Sequence, residues 1–154
     1  MNRRVRWLVA LAILSGCGPS QQGTPLGRDQ MEEVRLRDVA ELYRMHQASA
    51  QKPPRSLKDF TRLGDADAPT GYTAIQSGQV VVRWEATLPD TEVEPTSSPT
   101  DEVLAYVSTV PEKGGLVLTL DRRIRQMTAE EFRSAKLAGT AGEAAKKARG
   151  RAGQ

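Results

Sequence analysis

The hydrophobic period of this chain changes partway along it, and that change limits the folds open to it. From Asp29 to about Gln51, the residues Leu36, Val39, Leu42, Tyr43 and His46 recur at steps of three and four. That spacing places them on one face of a helix. Arg35, Arg37, Asp38, Glu41 and Arg44 fall on the flanks and back. Asp29 and Glu32 have the spacing of a capping box, with Asp in the place of the usual Ser or Thr. Pro53-Pro54 ends the helix, because proline cannot donate and pushes the preceding residue out of helical geometry. Beyond residue 71 the period becomes two. Val80, Val82, Trp84 and Ala86 alternate with Val81, Arg83 and Glu85, which predicts a strand with two distinct faces.

The remaining segments fit between these signals. Ser56-Leu57-Lys58-Asp59-Phe60 reads as a short capped helical turn, with Leu57, Phe60 and Leu63 pointing inward and Gly64 as its end. Asp65 to Gly71 reads as a loop, Tyr72 to Ile75 as a short strand and Gln76-Ser77-Gly78 as a turn. Leu88 to Asp101 is a long loop bearing Pro, Ser and Thr. Strands are expected at 103–109, 116–120 and 124–127, with a turn at 111–115 and a tight connection at Asp121-Arg122-Arg123. Thr128 with Glu131 makes a capping box. It opens a helix carrying Phe132, Ala135 and Lys136 that ends by Gly139. Strands joined by short turns pair antiparallel. The expected fold is therefore α+β, a single domain over residues 29–138. A long amphipathic helix packs on a meander of four to five strands, and a short helix closes the chain. Residues 139–154 hold no large apolar side chain and are expected to form a disordered basic tail.

The amino-terminal residues carry a different signal. Arg3, Arg4 and Arg6 form a basic segment without acids, followed by the apolar run Trp7–Leu14 and the small residues Ser15 and Gly16. This is the layout of a secretory signal peptide. Eight apolar residues reach only about 12 Å, far short of a hydrocarbon core of about 30 Å. Leu14-Ser15-Gly16-Cys17 resembles the lipobox of bacterial lipoproteins. The resemblance implies cleavage between Gly16 and Cys17 and acylation of Cys17, leaving residues 17–28 as a flexible tether rich in Gly, Pro, Gln and Ser. Several acyl chains hold a protein on a membrane without spanning it. Gly18 stands where an Asp would favour inner-membrane retention, so the resemblance points to the outer membrane, with the domain facing the periplasm or the cell surface.

Charge and cysteine usage narrow the chemistry. The formal net charge of +3 belongs to the precursor. The three signal arginines account for it, so the remaining chain is near neutral and nucleic acid is not an expected partner. Cys17 is the one cysteine. Once lipidated, it leaves no thiol for a disulfide, a Cys-based zinc site or a nucleophile.

The order of elements also resembles the soluble heads of type IV pilin-like and type II secretion pseudopilin proteins, and small lipoproteins of bacteria such as planctomycetes. Ala40-Glu41-Leu42-Tyr43 leads through Pro54-Arg55-Ser56-Leu57-Lys58-Asp59-Phe60 into a meander, over residues 36–132. Pilins assemble through an apolar amino-terminal helix behind a prepilin peptidase site. Here a lipobox stands in that place, and the helix from Asp29 is charged.

Few side chains invite chemistry. His46, the one histidine, lies on the apolar face and reads as a residue at the rim of the core. Asp65 and Asp67 are the only candidates for the start of a calcium site, which needs six to eight oxygens. Glu92, Glu94, Asp101 and Glu102 make the long loop acidic, a surface suited to a basic partner. Lys146, Lys147, Arg149 and Arg151 make the tail basic and suited to anionic lipid or polymer. No nucleotide, dinucleotide, esterase or zinc-protease motif occurs, and no cofactor is implied. The sequence thus predicts a lipid-anchored, non-enzymatic envelope protein that binds another envelope protein. A pseudopilin-like accessory subunit and a small calcium-binding or enzymatic module are the alternatives.

Overall fold

A computed structural model describes residues 27–142. Helix α1 spans Arg28–Ala50, about 34 Å at 1.5 Å per residue. Its buried positions are Leu36, Val39, Leu42, Tyr43 and His46, the face the period assigns. Its start differs from expectation. Gly27 is the cap residue, and Gln30 Oε1 accepts the Gly27 amide at 3.0 Å, so the Asp29–Glu32 box is not the one used. At the other end Gln51 turns left-handed (φ 53°) and its amide donates to the Gln47 carbonyl.

A 3-10 turn at Leu57–Phe60 follows, with Asp59 Oδ2 accepting the amides of Arg55 (2.7 Å) and Ser56 (3.2 Å). Phe60 is fully buried, and Leu57 and Leu63 pack against the core. Beyond it the structure corrects the sequence reading. Gly64 does not end the helical segment, because α2 runs Thr61–Ala66. The expected loop at 65–71 and strand at 72–75 are replaced by α3, Pro69–Gln76. Proline at the first helical position favours this start. The acid that caps it comes from another element: Asp38 Oδ2, on α1, accepts the Gly71 amide at 2.9 Å. Gly71 permits that approach, since a Cβ there would lie 2.5 Å from Asp38 Cβ and 2.9 Å from the Val39 nitrogen.

Five strands form an antiparallel sheet in the order β4-β3-β2-β1-β5. They are β1 (Val80–Trp84), β2 (Val103–Val107), β3 (Gly115–Thr119), β4 (Ile124–Met127) and β5 (Thr140–Ala141). Val80 faces Val107 and Val82 faces Ala105 across β1 and β2. The expected turn at 111–115 contains a helical turn, α4, Val110–Lys113. Every residue of β1 and β2 is buried, so the expected division of β1 into inner and outer faces gives way to a strand covered on both sides. Helix α1 lies over one face. On the other side Phe132 of α5 (Ala129–Ser134) meets Tyr106 with ring centroids 4.6 Å apart. The Thr128–Glu131 box that opens α5 is present in both directions, at 3.2 and 2.7 Å. Helix α5 stops at Ser134, before Ala135 and Lys136.

Ordered structure continues past the expected boundary at 138. Thr140 and Ala141 pair with Trp84 and Arg83, within the segment assigned to the tail. Gly139 makes this connection feasible: its φ is +46°, and a Cβ would lie 2.0 Å from the Trp84 carbonyl oxygen. Phe60 stands at the centre of an aromatic group, 5.6 Å from Tyr43, 5.5 Å from Trp84 and 6.1 Å from the His46 ring. The Tyr43 hydroxyl donates to the Arg83 carbonyl. Burial pushes that hydroxyl well above its ordinary pKa, more than the Ala86 hydrogen bond and the Arg83 charge pull it down. The unfolded chain releases this proton near pH 10 and the folded chain does not, so the contribution is present below pH 10 and lost above it. Tyr43→Phe should cost about 1 kcal/mol at neutral pH. In urea melts the gap between variant and parent should narrow above about pH 10. Parallel stability curves across that range would contradict the burial of a protonated hydroxyl.

Candidate functional site

The longest connection, 85–102, leaves β1 beside the carboxyl end of α1 and is held there by side chains from three places. Gln47 fixes its first part. The Gln47 amide nitrogen donates to the Leu88 carbonyl at 3.1 Å, and its oxygen accepts the Leu88 amide at 2.9 Å. Asp90 fixes its middle, because Oδ2 accepts the amides of Thr96 and Ser97 at 3.2 and 2.8 Å. Oδ1 pairs with Arg122 Nη2 at 2.5 Å, and the two side chains are 14% and 5% exposed. Arg122 can reach because it sits in a left-handed turn (φ 63°) between β3 and β4. The Arg44 and Arg122 guanidiniums approach the carbonyls of Thr91 and Val93, each at 3.4 Å.

A second, fully buried carboxylate stands beside Arg122. Asp121 accepts from the Thr119 hydroxyl, from Arg123 Nη1 at 2.9 Å and from the Thr100 amide at 3.3 Å. These contacts tie the far end of the loop to the same turn. Burial alone would raise the Asp90 carboxyl, but hydrogen bonding from Ser97 and the Arg122 charge outweigh it and bring the pKa down to about 2. Asp90 is thus held ionised and occupied, suited to fixing the loop rather than to exchanging protons.

Between this loop and the end of α1 lies a groove of about 360 Å3. Gln51 and Pro53 form one wall, and Thr87, Leu88, Pro89 and Thr91 form the other. Lys52 and Asp90 also line it. The last turn of α1 carries no basic side chain, and Lys52, two residues past the end of the helix, is the cation that lies nearest its carbonyl end on the groove wall. Leu88, Pro53 and Pro89 share the walls with the polar side chains of Gln47, Gln51, Thr87 and Thr91. Such a surface is equipped to hold an extended chain by hydrogen bonds and shape.

The site residues read from sequence are scattered around this groove. Glu92 and Glu94 are exposed at the tip of the pinned loop, on either side of Val93, which is 75% exposed. Asp101 lies at the far end of the loop and pairs with Arg125 at 2.5 Å. Glu102 pairs with Lys136. His46 is buried at the edge of Phe60, the rim position expected of it, and its Nε2 has no hydrogen-bond partner among the described residues. The backbone at Asp65 lies in α2, and Asp67 is its exposed cap residue. Among the described residues, no group of three or more His, Cys, Asp or Glu is arranged to hold a metal ion. Gly16, Cys17, Lys146, Lys147, Arg149 and Arg151 lie outside the described residues. Sequence reasoning missed Asp90, Asp121 and the two arginines beside them. The one local sign was an acid directly after Pro89 in a loop.

The Asp90 contribution has a definite sign with pH. Its pKa is depressed on folding, so stabilisation is present above the ordinary carboxylate pKa of 3.8 and is lost as pH falls through about 2. A depression of this size corresponds to about 2 kcal/mol. Asp90→Asn should therefore lower stability by about 2 kcal/mol at pH 7, and the deficit should shrink between pH 4 and pH 2. A deficit that stays constant down to pH 2, measured by denaturant melts, would show that the carboxylate does not hold the loop. Comparison of the chain with protein-family models, with curated proteins and with solved structures finds no match in any of the three.

Proposed function

We propose that this chain is a lipid-anchored protein of the bacterial cell envelope whose α+β domain binds another envelope protein. The observation that carries this reading is Leu14-Ser15-Gly16-Cys17 at the close of the apolar run, ten residues before the cap of α1. A tether of that length gives the domain room to turn beneath its anchor. No helix among the described residues is long and apolar enough to cross a membrane. In this reading the acyl chains on Cys17 supply attachment, with the outer membrane as destination. The domain supplies recognition through the groove and the pinned acidic loop. Loops held on a rigid scaffold commonly carry recognition, and a pre-ordered loop loses less entropy on binding than a mobile one.

A pseudopilin-like accessory role is the second reading. What favours it is a long first helix laid over an antiparallel sheet, the layout of pilin heads. Recovery of secretion pseudopilins with the chain from envelope extracts would support it.

The anchor has a direct test. Mass spectrometry of the mature protein should show a chain beginning at an acylated Cys17, and extraction from envelopes should require detergent. Cys17→Ala should leave the precursor uncleaved or mislocalised, while the far-ultraviolet circular dichroism of the domain persists. A native protein retaining Met1 and fractionating without detergent would refute the reading.

A further inference from the structure

We propose that Lys52, Arg55, Lys58 and Arg62 form a docking surface for the phosphate headgroups of an anionic membrane. All four side chains are exposed. None enters a salt bridge among the described residues, whereas Arg37, Arg44, Arg122, Arg123, Arg125 and Lys136 each face a carboxylate. Phe60 is fully buried, and Leu57 and Leu63 pack against the core. Lys58 and Arg62, four residues apart on the continuous helical segment 57–66, therefore share its outer face. Arg55 and Lys52 are exposed on the segment that leads into it. The platform is held in place by Phe60 against Tyr43 and Trp84, and by the Glu85 amide, which donates to the Pro54 carbonyl at 2.8 Å. From 51 to 64 the one acid is Asp59, and its Oδ2 already accepts the amides of Arg55 and Ser56. Glu85 directs its carboxylate to the Thr140 hydroxyl at 3.0 Å.

The composition of the patch favours lipid over protein. Protein interfaces close around an apolar core. The large apolar side chain exposed among the described residues is Val93, outside this segment. Four long cationic side chains without such a core suit a plane of phosphates. The proposal rests on the envelope reading for its setting. There Cys17 lies ten residues before Gly27, at most about 35 Å of chain. Tyr43, against which Phe60 packs, is sixteen residues beyond Gly27, about 24 Å along the helix. The leash is therefore long enough for the patch to meet the bilayer that holds Cys17. Each basic side chain near an anionic membrane multiplies partitioning by about fivefold. The patch thus adds to the acyl chains and fixes which side of the domain faces the lipid.

Vesicle co-sedimentation tests this on the mature-length chain, residues 17–154, with Cys17→Ser so that no acyl chain contributes. The vesicles are phosphatidylcholine alone, or phosphatidylcholine and phosphatidylglycerol in equal parts. The chain should partition onto the anionic vesicles and be released by high salt. Lys52→Gln, Arg55→Gln, Lys58→Gln and Arg62→Gln together should lower that partitioning by about tenfold or more. Arg28→Gln, Arg37→Gln, Lys113→Gln and Arg133→Gln, which remove the same charge from exposed positions elsewhere, should change it far less. Equal losses in the two variants would overturn the proposal in favour of net charge alone, and unchanged binding in the first would overturn it outright. So would retention of the parent, but not of the first variant, on immobilised polyglutamate without vesicle binding, which would assign the patch to an acidic protein. Circular dichroism confirms that folded proteins are compared. Acylation of Cys17 is not read here, so the anchor stands or falls separately on the mass of the mature protein.

Discussion

Arg83 joins three parts of the fold. Its carbonyl accepts from the Tyr43 hydroxyl on α1. Its guanidinium donates from Nε to the Ala138 carbonyl at 2.8 Å and from Nη2 to the Gly139 carbonyl at 3.0 Å. The residue is 9% exposed, within β1. A buried guanidinium is costly unless its donors find acceptors, so residues 138–139 and Arg83 require one another. This junction sets where α1 crosses the sheet, where β1 turns away toward the groove, and where the carboxyl terminus departs.

The same logic extends outward from the junction. The connection after β1 is long, and long connections ordinarily move. Here buried charge restrains it, through Asp90 paired with Arg122 and through Asp121, which accepts the Thr100 amide. Exposed pairs such as Arg37–Glu33, with side chains 73% and 44% exposed, contribute little. Removing one member of a buried pair strands the other, which costs far more than an exposed pair supplies. The side chains the loop leaves exposed at its tip are those of Glu92-Val93-Glu94.

Much of this architecture was legible in the residues. The face of α1 followed from Leu36, Val39, Leu42, Tyr43 and His46, and the start of α5 from Thr128 and Glu131, because period and capping act within one or two turns. Helix α3 was not legible. Tyr72-Thr73-Ala74-Ile75 has the β-branched and aromatic content of a strand, and the acid capping its amino end is Asp38, thirty-three residues away. Strand β5 was hidden for a related reason: Thr140-Ala141 has no local strand character and pairs because Arg83 captures the carbonyls just before it. The groove was unreadable as well. Gln47 and Asp90 serve it through hydrogen bonds to backbone groups remote in sequence, and a backbone acceptor leaves no trace in side-chain pattern. The lipobox-like segment is the reverse case, plain in sequence and outside the described residues.

Arg83→Met keeps the aliphatic stem and removes the donors, so hydrogen exchange on this variant tests the junction most directly. The account predicts that amides of 136–142 lose protection while those in the centre of α1 keep it, with global stability lower by about 2–3 kcal/mol. Unchanged protection at 138–141, with the same melting point as the parent, would contradict it.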